Sequence, residues 1–309
     1  MDARDGSARS GREASPDSVD QEDLEARLAQ RVGAVEDFAA IADRIAGVGD
    51  LRWAEATADY RLLAINASLR RQIESMNAAV LLSRQGLGHL AVAFVRASVE
   101  DVMYLKFFCS MTLEDSQKLF ELLGVFDSAR SLIAQRAYVG DEVMRSLWYP
   151  PGFVDTVERR RDEVRAQLRS LQKVYKWPGG DTPNNAWIAE QASVKDLYEY
   201  LHAATSRALH FSAGEIMRRS WGAPNGILVT NKPEFRTHLA SFALDQLWRL
   251  YIDTWEATLP LVEDAGIATE EGVGFEELHP VLERLLALGK VPLVHAHEWN
   301  LTPDGPLFL

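Results

Sequence analysis

Residues 91–111 read AVAFVRASVEDVMYLKFFCSM, and this stretch decides the fold. It carries apolar side chains nearly all round, so as a helix it cannot rest on a surface by one stripe alone. In a soluble chain such a helix must be wrapped by others. It is not a membrane span: the apolar run that starts at Leu87 is interrupted by Arg96 and then Glu100, well short of the roughly 18 residues a bilayer requires.

Outward from this centre, helical periodicity recurs on both sides. Leu24, Leu28, Val32, Val35, Phe38, Ala42 and Ile45 follow three- and four-residue steps and share one face, and Gly47 and Gly49 close that helix. A second helix is predicted over residues 51–83, with Gly86 and Gly88 breaking it before the central one. Thr112 with Asp115 forms a capping pattern for a helix to about Tyr138, and Tyr149-Pro150-Pro151-Gly152 stops the chain. Residues 153–177 form a charged helix and 178–185 a loop. Ser193 with Asp196 is expected to cap the next helix, which carries Leu197 to Phe211. Residues 226–230 suit one short strand. A long helix starts near Pro233 and should kink or end at Pro260, and an amphipathic helix passes through Leu278, Leu282, Leu285 and Leu286. The expected fold is all-α, a mainly antiparallel bundle of about six to eight helices. Residues 1–20 should be a disordered tail, 21–265 the bundle domain, and 266–309 a C-terminal helix with an irregular tail.

Composition narrows the function. At 47% hydrophobic residues the chain has ample material for a core, and its net charge of −12 repels phosphate backbones and anionic membranes. Cys109 is the single cysteine, which excludes an intrachain disulfide and any multi-cysteine metal site and suits a reducing compartment. The first twenty residues lack the apolar segment of a secretory signal, so the expected location is the cytoplasm.

Two polar groups of residues stand out. Arg96 and Glu100 lie four apart on the central helix, on one face among apolar neighbours, and a charge pair there must be further hydrogen-bonded or serve a ligand. Tyr198, His202, Ser206 and His210 follow one another at four-residue steps with Arg207 beside them, making a polar stripe next to Leu197, Leu201, Ala204 and Ala208. The two groups are expected to meet, because Arg96 only donates, Glu100 only accepts, and the later helix supplies both kinds of partner.

The same residues carry a resemblance. Val95-Arg96-Ala97-Ser98-Val99-Glu100, then Trp187, then Tyr198 through Ser206-Arg207-Ala208-Leu209-His210 resemble a bacterial helical family known only as domain of unknown function five-six-seven-seven. Its pattern is R-x-x-x-E followed by a tyrosine-rich helix ending S-x-x-x-H, and Arg96, Glu100, Tyr198, Ser206 and His210 occupy those places. The resemblance spans roughly residues 51–259 and implies an all-helical fold without an established activity.

Three other patterns compete. Arg84 and His89 fit the R-x4-6-H spacing of HEPN ribonucleases, in which an imidazole moves protons and a guanidinium holds phosphate; about two such matches arise by chance in a chain of this composition. Arg161, Arg165, Arg169 and Lys173 form a basic ridge suited to RNA, but Asp155, Glu158, Asp162 and Glu163 interleave with it. His295 and His297 could begin a metal site, yet no third ligand is identifiable, so neither metal nor cofactor is expected. The leading expectation is a ligand-sensing or regulatory helical protein of defence or stress systems. Its partner would be a small molecule or a protein, bound through Arg96, Glu100, Tyr198, Ser206 and His210. Catalysis by His210, Arg96 and Glu100, or a ribonuclease built on Arg84 and His89, is the alternative.

Overall fold

The computed structural model describes residues 21–47, 59–147, 149–150, 152–209, 212, 233–264 and 275–294. The expected tail at 1–20, the strand at 226–230 and the histidines at 295 and 297 lie outside them. Among the described residues the chain is all-α, with nine α-helices: α1 (Gln21–Gly47), α2 (Tyr60–Arg84), α3 (Val92–Cys109), α4 (Leu113–Ser146), α5 (Phe153–Tyr175), α6 (Asn185–Gln191), α7 (Lys195–Leu209), α8 (Pro233–Asp264) and α9 (Phe275–Ala287). A short 3₁₀ turn, Gly88–Ala91, leads into α3.

Helix α3 is central, as its all-round apolarity predicts. Val92, Val95, Val99 and Val102 enter one core with α1, α2, α7, α8 and α9, while Met103, Phe107 and Phe108 enter a second with α4, α5 and α6. In the first core, Phe38 of α1 meets Tyr251 of α8 edge-to-face at 5.6 Å and Trp248 at 6.3 Å. Burial of side chains of this size contributes about 1.5–3 kcal/mol each, so this aromatic contact is a main fastening between the first helix and α8.

Several helix ends differ from expectation for identifiable reasons. Asp115 N donates to Thr112 Oγ1 at 3.2 Å, so the predicted cap of α4 forms; the backbone leaves helical geometry at Gly140 (φ 82°, ψ 164°), two residues beyond the expected end at Tyr138, and a second helical stretch follows to Ser146. The cap expected at Ser193 does not form. An unforeseen helix, α6, is capped by Asn184, whose side chain accepts from Trp187 N, and Ser193 ends that helix in the left-handed conformation (φ 56°). Val194 N then donates to Ala189 O at 2.9 Å, a helix-closing arrangement that occupies the backbone on which a new cap would rest. Pro260 neither ends nor visibly interrupts α8, which continues one more turn to Asp264. Pro260 lacks the N–H that would bond the Glu256 carbonyl, so the last turn continues past one missing hydrogen bond.

Buried charges tie the first core together. Arg31 Nη1 donates to Asp245 Oδ1 at 3.0 Å, and Arg31 Nη2 donates to the carbonyls of Leu288 and Gly289, both at 3.1 Å. Asp245 also accepts from Arg249 Nε at 3.2 Å and from Val291 N at 3.1 Å. One buried carboxylate thus joins α1, α8 and the segment after α9. Between α2 and α3 Asp101, pushed up in pKa chiefly by burial, accepts from Arg71 and Ser68 of α2.

Candidate functional site

Helices α3, α6 and α7 converge where Arg96 and Glu100 stand. Helical spacing puts these two on one face, and Arg96 Nε donates to Glu100 Oε1 at 2.8 Å. Arg96 Nη1 donates to Ser206 Oγ of α7 at 3.0 Å, across 110 residues of sequence. Asn185, the first residue of α6, donates through Nδ2 to Glu100 Oε1 at 3.1 Å and accepts through Oδ1 from the Tyr104 hydroxyl at 3.1 Å. On α7, the Tyr198 and His202 rings lie 5.1 Å apart, and His202 Nδ1 is 3.4 Å from Ser206 Oγ. The result is one polar chain from Tyr104 through Asn185, Glu100, Arg96 and Ser206 to His202.

Of the residues named from sequence, the structure brings Arg96, Glu100, Ser206 and His202 into this chain and sets the Tyr198 ring beside His202. His210 and the side chain of Arg207 lie outside the described residues. Asn185 and Tyr104 are additions. Asn185 falls in what the sequence presents as a loop; the Asn184-Asn185 pair ahead of an apolar run was the one signal that a capped helix begins there. Tyr104 lies two turns of α3 beyond Arg96, on the same face, and was legible from spacing alone.

Burial shapes the electrostatics. Tyr104 is pushed up to about 12, first by burial and then by the negative charges of Glu100 and Asp127. Tyr198 is raised by burial, against which Arg96 and a hydrogen bond from Asn185 pull it down. Both phenols therefore stay neutral donors at physiological pH.

The arrangement suits recognition better than nucleophilic attack. Ser206 Oγ already accepts a charged hydrogen bond from Arg96, which withdraws electron density from the oxygen that would have to attack, and the 3.4 Å to His202 is longer than an activated nucleophile–base pair. What the site leaves over is more informative. Arg96 Nη2 and Glu100 Oε2 have no hydrogen-bond partner among the described residues, and the two side chains remain 21% and 30% exposed. A donor on Arg96 and an acceptor on Glu100 are therefore left over, on side chains that keep partial exposure.

The competing patterns fare differently. Arg84 forms an exposed ion pair with Glu36 of α1, and His89 is buried in the 3₁₀ turn, so the two do not present a guanidinium and an imidazole to a common surface. On the basic ridge, Arg165 and Arg169 both bind Asp181, at 2.7 and 3.1 Å, and Arg161 binds Asp162 at 3.4 Å. Much of the positive charge is therefore spent locally. Among the described residues no cluster of three or more His, Cys, Asp or Glu could hold a metal ion, and no helix is long and apolar enough to cross a membrane.

The model of a family of unknown function, DUF5677, matches residues 63–226, more than half of the chain. The chain belongs to this family. No curated protein and no solved structure shows a significant match. The DUF5677 match takes in every residue of the polar chain, from Arg96 on α3 to Ser206 on α7, and leaves α1, α8 and α9 outside it.

Proposed function

We propose that this DUF5677 protein is a ligand-binding, regulatory protein whose site is built on Arg96, Glu100, Asn185, Tyr198 and Ser206, with His210, four residues on from Ser206 in the sequence, as a further donor. The observation that supports it is a donor and an acceptor left over among the described residues, Arg96 Nη2 and Glu100 Oε2, on side chains that Ser206 and Asn185 hold and that remain partly exposed. A fixed donor next to a fixed acceptor complements a small polar molecule with the reverse order, such as an amide or the hydrogen-bonding edge of a nucleobase. The pair is already hydrogen-bonded in place, so little ordering remains for a ligand to impose.

Saturation-transfer NMR against adenine, cytosine, glutamine and asparagine tests this. At least one should bind the wild-type chain and lose its signal in Arg96→Met and Glu100→Gln. Absence of binding by all four, or binding unchanged in both variants, would overturn the reading. The proposed setting is the cytoplasm, in a defence or stress response. The lone, half-buried thiol suits a reducing compartment, and phage challenge of a host with and without the chain tests the defence part.

A further inference from the structure

A second candidate is lined by none of the residues of the polar chain. Between α7, α8, α9 and the segment after α9 runs a groove of about 780 Å³, within the size range of small-molecule sites. Leu197, Leu250, Ile252, Leu282 and Val291 give it apolar walls, and Leu286, 58% exposed, stands at its lip. Arg249, Asp253 and Lys290 supply its charges.

The charge of this groove follows from the buried cluster behind it. Asp245 carries one negative charge and binds two guanidiniums, Arg31 at 3.0 Å and Arg249 at 3.2 Å. Arg31 is deeply buried and directs its remaining donors to the carbonyls of Leu288 and Gly289. The cluster is therefore left with one positive charge in excess, and it emerges at Arg249. That guanidinium is also held in place: Nε is anchored on Asp245, its plane lies 4.3 Å from the Trp248 ring centroid, and neither Nη has an acceptor among the described residues. Lys290 lines the same groove. Asp253, one turn from Arg249, is the opposing charge; burial pushes its carboxyl up, while Lys106 and Arg249 act against that. The groove is thus locally cationic in a chain of net charge −12.

We infer that this groove binds a long-chain carboxylate, with the Arg249 fork and Lys290 taking the acidic head and the walls of α7, α8 and α9 taking the hydrocarbon. A positive charge in excess beside apolar surface attracts an anion whose apolar body covers that surface, and a guanidinium whose Nε is already anchored presents its two Nη groups as a fork that matches a carboxylate's two oxygens. The apolar tail explains why the anion is an amphiphile. This inference uses none of the residues of the Arg96 site, so the two stand or fall separately.

Calorimetric titration of the full chain with sodium laurate below its micellar concentration, alongside dodecyltrimethylammonium, tests it. Laurate should bind one per chain, and the cation of the same tail about tenfold or more weakly. Arg249→Met should weaken laurate binding about tenfold, with the melting temperature little changed because Asp245 keeps Arg31. Leu286→Glu, at an exposed position that does not threaten folding, should do the same by placing a negative charge at the lip. Lack of laurate binding, equal binding of the two amphiphiles, or unchanged affinity in both variants would overturn the proposal. So would a laurate-insensitive dimer of the wild-type chain that Leu286→Glu dissociates, since the groove would then belong to a second copy.

Discussion

Arg31 on α1 and Asp245 on α8, 214 residues apart in the chain, meet at 3.0 Å with both side chains buried. Removing the cation strands a carboxylate in the core and also releases the carbonyls of Leu288 and Gly289. Arg31→Ala should therefore cost about 3–5 kcal/mol, read from the shift of the urea midpoint at constant slope. A loss below about 1 kcal/mol would show that Arg249 alone suffices for Asp245.

The Arg96–Ser206 contact should be measurable as a coupling. In a double-mutant cycle with Arg96→Met and Ser206→Ala, the interaction energy should be about 1 kcal/mol, the lower part of the range for a hydrogen bond to a charged group because the site is partly wet. Strict additivity would mean that the bond does not persist in solution.

Alkaline pH should act on the second core. Tyr104 is held up to about 12 against an ordinary 10.0, so the folded chain keeps its phenol neutral where the unfolded chain would ionise. The stability this contributes is fully present below about pH 10 and is lost as pH rises towards 12. Cys109, pushed by burial from 9.0 to about 11, behaves alike, so iodoacetamide at pH 8 should label it far more slowly in the native chain than in urea. Equal labelling rates would contradict the burial of this thiol.

Gly88 should tolerate no side chain. A Cβ there would overlap Ser83 Oγ and stand 2.7 Å from Ala240 Cβ and 2.9 Å from Ser83 Cα, so the 3₁₀ turn would have to move away from both α2 and α8. Gly88→Ala is expected to cost about 2 kcal/mol or more in thermal or urea unfolding, and a neutral substitution would show that the turn relaxes freely.

Metal-free incubation with RNA should leave the RNA intact, since Arg84 is engaged with Glu36 and His89 is buried. Arg84→Ala should change stability by less than about 1 kcal/mol, the usual worth of an exposed pair. Cleavage that disappears in both Arg84→Ala and His89→Ala would restore the ribonuclease alternative.

The fold was legible where one physical demand acted alone. The all-round apolarity of α3 placed it at the centre, and the steps from Val32 to Ile45 gave the buried face of α1. Arg31 sits within that same apolar face, and Asp245 within the apolar run of α8, yet neither announces its partner: long-range pairing of buried charges leaves no periodicity to read. Ser193 misled because a serine ahead of an acidic residue looks alike whether it opens one helix or closes another. In the candidate site, Arg96 and Glu100 were readable as a pair, and their need for partners pointed to α7. Asn185 was not, since its role depends on how α6 docks.

Gly140 and Gly152 both take left-handed backbone, with open space where a side chain would project, at the end of the α4–α5 hairpin. The buried side chains nearest them, Met144 and Val154, belong to neither of the two cores. That end of the hairpin is accordingly a natural splice point. A fluorescent or affinity module inserted within residues 149–152 would leave both cores, the polar chain and the groove intact, and would let the protein be followed or captured in cells without tagging either terminus.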